Sequence, residues 1–159
     1  GETWERVAMV RLRVLWGNDS LKTQVESFCS KFAYRKHIDL RLFNDLYLIR
    51  ERIQQNIIEK TLNLKYWPGG IRDLELFVHS LQLIHGGKKV SLKTMSTTLA
   101  IEEIQKLNVI PSGDAQLLLK AYWYYRTIEN KVHAHGDQHT YELSLIRGII
   151  SQKEIDQFK

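Results

Sequence analysis

The chain of 159 residues is 26% charged and 43% hydrophobic with a formal charge of +5, which argues against disorder and fits one compact domain able to bury a core. No apolar run reaches the ~20 residues of a membrane span, and the N-terminus lacks the apolar centre of a signal peptide. The single Cys29 excludes an intrachain disulfide and a multi-cysteine zinc site, so a reducing, cytoplasmic setting is expected. The excess of Lys and Arg permits an anionic partner without selecting one.

Only two prolines interrupt the chain, which leaves long stretches free to be helical. Trp4, Val7, Ala8, Leu12 and Leu15 share one helical face, ended by Gly17-Asn18. Ser20 is positioned to cap a second helix with the stripe Leu21, Val25, Phe28, Cys29 and Phe32. A third helix carries Leu42, Leu46, Ile49, Ile53 and Ile57 and is expected to run to about Leu62. Pro68-Gly69-Gly70 breaks the chain before a fourth helix with Leu74, Phe77, Val78, Leu81 and Ile84 inward, stopped at Gly86-Gly87. Lys88 to Ser96 reads as a loop. Thr97 or Thr98 caps a short helix through Ile101, Ile104 and Leu107 that ends before Pro111. A last long helix opens at Ser112, with Leu118, Ala121, Tyr122, Tyr125 and Val132 on its inner face, and stops at Gly136; Ser151 is placed to cap a tail helix. The expected architecture is all-α: one helical bundle over residues 1–159, with a Pro-Gly-Gly turn before a central helix. Because the chain opens without Met and inside a helical pattern, it is expected to be part of a larger multidomain protein.

The segment Lys65-Tyr66-Trp67-Pro68-Gly69-Gly70-Ile71-Arg72-Asp73-Leu74-Glu75 is the most informative. Gly69 and Gly70 before a helix allow φ > 0 and leave N–H groups pointing outward, and helix N-termini hold anions for that reason. Lys65 and Arg72 flank the turn with positive charge. The alternatives are a phosphate or carboxylate contact and an ordinary inter-helix turn. Beyond the turn, Arg72, Glu75, His79 and Gln82 line one helical face, expected to be solvated or to meet another domain. Glu75 and His79 have the spacing of half a metal site, but nothing nearby implies a third ligand, and no metal site is expected. Asp73 and Glu75 point roughly 200° apart by the helix period and cannot act as one catalytic pair.

His133-Ala134-His135-Gly136-Asp137-Gln138-His139 approaches a two-metal ligand run, but Gln138 interrupts it and a helix precedes it where a strand end is required. A structural helix exit is the better account. In Tyr122-Trp123-Tyr124-Tyr125-Arg126, helical geometry sends Tyr122 and Tyr125 to the core, so no stacking platform for bases forms. The basic pairs Arg11/Arg13, Arg35/Lys36, Arg50/Arg52 and Lys88/Lys89 are dispersed among acids, unlike a nucleic-acid stripe, and no nucleic-acid partner is expected. Arg11 lies within an apolar stripe and so calls for an anionic partner, in a ligand or across a domain boundary. Neither a P-loop, nor a Gly-x-Ser-x-Gly turn, nor a Gly-Ser followed by an Asp-x-Asp pair is present, and no catalytic residue is assigned.

Trp4-Glu5-Arg6-Val7-Ala8-Met9-Val10-Arg11-Leu12-Arg13, Gly17-Asn18-Asp19, Tyr34-Arg35-Lys36-His37-Ile38-Asp39 and Lys65 through Glu75 occur in order. Phe77-Val78-His79, Leu83-Ile84-His85-Gly86-Gly87, Ala121 through Arg126, Glu129-Asn130-Lys131-Val132-His133 and Asp137-Gln138-His139-Thr140 follow. Together they resemble the helical segment after the nucleotidyltransferase domain in glutamine synthetase adenylyltransferases, more closely the N-terminal, adenylyl-removing half. The resemblance implies an all-helical domain packed behind a transferase domain, with glutamine synthetase and PII protein as partners. It also implies removal of AMP from a tyrosine by phosphorolysis, with Mg²⁺ at carboxylates of the preceding domain and ATP or ADP as nucleotide. Arg6, Arg11, Arg13, Lys65, Gly69, Gly70 and Arg72 would then shape the nucleotide or phosphate side of a cleft, with Glu75 and His79 on the polar face. This sequence has Trp67 where the family usually has Gly, and His79, His133 and His139 where Gln is usual. PII uridylyltransferases share the Pro-Gly-Gly turn and are the alternative within the class; a structural or protein-binding helical module is the alternative outside it.

Overall fold

A computed structural model of the chain describes residues 1–38, 40–55 and 64–134. Among them are six α-helices and no strand: α1 (Thr3–Met9), α2 (Asp19–Ala33), α3 (Arg41–Gln55), α4 (Ile71–His85), α5 (Thr97–Lys106) and α6 (Ser112–Ala134), with a 3-10 turn at Val90–Leu92. The all-α expectation holds. The tail helix, the extension of the third helix to Leu62 and the run from His135 to His139 lie outside the described residues, while His133 sits in the last turn of α6.

The hydrophobic stripes produce two main cores, one on each side of α4. Leu74 and Val78 of α4 pack with Leu92, Ala100, Ile101, Ile104, Ala115 and Tyr122. Leu76 and Leu83, which project from the opposite side of the same helix, pack with Val10, Ala33, Tyr34, Leu42 and Leu46. The helix is therefore enclosed on both flanks, as a central helix of a bundle must be. A smaller cluster of Leu64, Ile128 and Val132 ties the turn before α4 to the end of α6.

Several ends differ from the sequence reading. The first helix stops at Met9 rather than near Leu15, and its buried residues are Thr3 and Arg6, not Trp4 and Ala8. That rotation is possible because both polar groups find partners. The Thr3 hydroxyl donates to Asp45 Oδ2 at 2.6 Å, and the Arg6 guanidinium donates twice to the Ala33 carbonyl at 3.0 and 3.1 Å. The cap of α2 is Asn18, whose side chain accepts the Ser20 N–H at 2.8 Å, and that of α5 is Ser96, which accepts the Leu99 N–H. The α5 helix ends in a Schellman arrangement: Asn108 adopts φ 50°, and the Asn108 and Val109 N–H groups bond the Gln105 and Ile104 carbonyls. Asn108, not Pro111, is the stop. On α2, Leu21, Val25 and Phe28 were expected to face inward but are exposed. Periodicity says which residues share a face, not whether a neighbour covers it.

Ile101 is enclosed by α4, α5 and α6. Its truncation to Ala is expected to lower the unfolding free energy in urea by about 2–5 kcal/mol. The exposed Leu99→Ala should change it by no more than about 0.5 kcal/mol.

Candidate functional site

The glycine turn forms as the sequence suggests, but its donors are spoken for. Gly69 takes φ +81°, and its N–H donates to Asp73 Oδ2 at 3.0 Å. The Gly70 N–H bonds the Trp67 carbonyl at 2.7 Å, that of Ile71 the Leu64 carbonyl at 3.1 Å, and that of Arg72 the Lys65 carbonyl at 3.0 Å. A Cβ on Gly70 would stand 2.5 Å from the Leu64 carbonyl oxygen, so glycine is required there by close approach of the chain. The N–H groups from Gly69 to Arg72 therefore close the turn on itself instead of facing outward. Lys65 places its ammonium 5.9 Å from the Tyr66 ring centre. Asp73 is held from the other side by Arg50 of α3, through two hydrogen bonds of 2.7 and 3.0 Å. Burial opposes its ionisation, but Arg50 and the Gly69 N–H outweigh that and keep the carboxyl below its usual range.

The polar face of α4 is buried within the domain rather than solvated. Glu75 is 4% exposed, and His79 and Gln82 are buried with it. Three guanidinium groups converge on the Glu75 carboxylate. Arg11 Nη1 donates to Oε1 at 3.0 Å, Arg126 Nη2 donates to the same oxygen at 2.5 Å, and Arg72 Nη1 stands 3.7 Å from Oε2. The anionic partner that Arg11 called for is thus inside its own domain, 64 residues along the chain. Arg126 also donates to Glu129 Oε2 and, through Nε, to the Tyr122 hydroxyl at 3.1 Å, so all its nitrogens are engaged. Burial works against the Arg126 charge, but these hydrogen bonds and the field of Glu75 outweigh it and raise its pKa. Arg72, the most loosely held of the three, keeps 48% of its side chain in solvent.

His79 lies one turn beyond Glu75. Burial pushes its pKa down to about 4, against the raising effect of Glu75, with Arg11 and Arg72 adding to the depression. Gln82, one turn further, donates to the Leu92 and Thr94 carbonyls at 2.7 and 2.8 Å and fastens the loop after α4.

Of the residues singled out in the sequence, Arg11, Arg72, Glu75 and His79 come together. Gly69, Gly70 and Lys65 build the adjoining turn. Arg6 does not join them: it is buried against the end of α2 and satisfies a helix-terminal carbonyl. Arg13 is exposed in the segment after α1. The residue that sequence reasoning passed over is Arg126, treated only as the end of an aromatic run. Its signal was present in the i, i+4 spacing from Tyr122 and the i, i+3 spacing to Glu129. Because guanidinium groups occupy both Glu75 oxygens, this donor set does not suit Mg²⁺, and no group of three His, Cys, Asp or Glu suited to a metal occurs among the described residues. No described helix is long and apolar enough to cross a membrane.

Glu75→Gln leaves guanidinium groups around a neutral acceptor. A stability loss of about 2 kcal/mol is expected in urea denaturation, less than the roughly 3–5 kcal/mol of a fully buried broken pair, because Arg11 and Arg72 reach solvent. His79 should give a separate pH signature. Its folded pKa of about 4 lies below the ordinary 6.5, so the unfolded chain binds the extra proton. Stability is then full above pH 6.5 and falls as the pH drops toward about 4, and His79→Gln should remove about 2 kcal/mol of the difference between pH 7 and pH 5. Urea midpoints at both pH values measure it.

Comparison with known proteins fits this geometry to a family. A family model described as GlnD PII-uridylyltransferase matches residues 48–156. Proteins of Methylococcus capsulatus and Mannheimia succiniciproducens are each 34% identical, over 142 and 145 residues, and each match covers 88% of this chain. One of Psychromonas ingrahamii is 32% identical over 145 residues, covering 90%. All three are described as bifunctional glutamine synthetase adenylyltransferase/adenylyl-removing enzymes, and the chain spans about 15% of the length of each. The turn, the central helix and the Arg126–Glu129 segment all fall inside the matched family region, and the chain belongs to the GlnD PII-uridylyltransferase domain family, related across most of its length to glutamine synthetase adenylyltransferases.

Proposed function

We propose that this chain is a helical domain of an enzyme that adenylylates and deadenylylates glutamine synthetase, and that it presents Arg72 and Arg11 to the nucleotide, the phosphate or the modified protein. The observation that carries the reading is three guanidinium groups set against two buried carboxylates. Glu75 and Glu129 face Arg11, Arg72 and Arg126, and the two outer guanidinium groups keep a large part of their surface in solvent. A buried carboxylate that fixes arginines leaves their remaining N–H groups aimed and ready for bidentate contact with phosphate. Electrostatic positioning of this kind supplies much of the work in phosphoryl-type transfer. The names of the relatives favour adenylyl over uridylyl transfer, while the family match keeps PII uridylyl transfer as the alternative in the same class.

In this reading the reacting carboxylates, Mg²⁺ and ATP or ADP belong to a nucleotidyltransferase domain outside these residues, in a cytoplasmic enzyme that answers to PII. A second reading, a docking module for glutamine synthetase or PII, draws on the exposed Leu21, Val25 and Phe28 of α2, the last 71% exposed. In the full-length enzyme, Arg72→Ala is expected to slow adenylylation or phosphorolytic removal of AMP about tenfold or more while lowering stability by no more than about 1 kcal/mol, because Arg72 is half exposed. Unchanged rates would refute the positioning role. The isolated chain should show no turnover, and any activity it displayed would place reacting groups within it.

A further inference from the structure

The turn after α2 and the turn after α4 meet at Gly87. A Cβ there would lie 2.0 Å from the Arg35 carbonyl oxygen, so only glycine allows the two turns to touch. The contact gathers basic residues that are far apart in sequence. A depression of about 450 Å³ is lined by Lys31, Tyr34, Arg35, Lys36, His37, Gly87 and Lys93, with no carboxylate among the described lining residues. Lys88 and Lys89 follow Gly87 directly on the same turn. Lys93 places its ammonium 5.5 Å from the Tyr34 ring centre, and Arg35 lies 6.0 Å from that of Phe32. Among the described residues, none of these Lys and Arg side chains forms an ion pair with a carboxylate.

Basic residues at helix C-termini ordinarily answer the helix dipole, about half a negative charge per helix. Here Lys31, Arg35 and Lys36 stand at or just after the C-terminus of α2, Lys88 and Lys89 follow that of α4, and Lys93 joins them at the depression. Positive charge well beyond what two dipoles balance is therefore held together at one place. We infer that this depression is a binding site for an oligophosphate, the multiply charged group shared by inorganic triphosphate and nucleoside triphosphates. It is separate from the Glu75 cluster and does not depend on the function proposed above. Its volume lies within the range of small-molecule sites, and cations from the end of α2, the turn after it and Lys93 suit several linked phosphates better than a single one.

The test is titration of the 159-residue chain with sodium triphosphate and with ATP at about 0.15 M salt, followed by amide NMR. Saturable shifts are expected at residues 34–37, 86–89 and 93. Lys36→Glu combined with Lys93→Glu should weaken binding at least about tenfold while keeping the amide spectrum of a folded domain, and Lys120→Glu on α6 should bind like the unaltered chain. ATP binding equally to triphosphate would assign the site to the phosphates alone; tighter ATP binding would assign it to a nucleotide. Shifts scattered over all basic residues, or binding indifferent to the double reversal, would overturn the proposal. So would duplex DNA displacing triphosphate with a steep salt dependence, which would make the surface a nucleic-acid contact.

Discussion

Taking a carboxylate out of water is costly unless cations surround it, and Glu75 sits on the one helix that both cores enclose. Arg11 comes from the segment after α1 and Arg126 from the middle of α6, so the charge ties both ends of the described chain to α4. Hydrophobic packing alone would tolerate some sliding of α6 along α4. The hydrogen bond from Arg126 to Glu75 defines the register, while Tyr122 and Glu129 hold the guanidinium from within α6. The buried face of α4 thus solves the same problem three ways in three turns: Glu75 is matched by charge, His79 sheds its proton, and Gln82 bonds two loop carbonyls.

The same constraint moves anion recognition from backbone to side chains. A helix N-terminus binds phosphate when its N–H groups are open. Here the Asp73 carboxylate and the carbonyls of Trp67, Leu64 and Lys65 take up the donors of Gly69 through Arg72, and Arg50 neutralises Asp73 behind them. What the turn offers instead is a rigid start for α4, which sets Arg72 beside Glu75. The glycines serve the shape of the turn, and the arginines carry the charge.

Charge is distributed with similar economy elsewhere. Arg6 is consumed by the carbonyl end of α2, and Arg50 by Asp73. The basic residues around Gly87, without carboxylate partners among the described residues, come from the end of α2, the turns after α2 and α4, and Lys93 beyond them. Two positive surfaces of different construction result. One is organised by a buried acid; the other is made of lysines and arginine crowded by a close backbone contact.

The sequence by itself determined the helical class, the approximate helix spans, the Pro-Gly-Gly break and the divergence of Asp73 from Glu75, because 3.6-residue periodicity and turn chemistry are local properties. It also carried the family resemblance, since ordered motifs survive where packing tolerates little change. Tertiary structure alone decided which polar residues are buried. Arg6 displaced Trp4 from the inner face because a carbonyl awaited it, Leu21 and Phe28 were left outside because no described neighbour covers them, and Arg35/Lys36 joined Lys88/Lys89 because Gly87 lets two turns touch. Burial and pairing depend on partners distant in the chain, and no local pattern encodes the position of a partner.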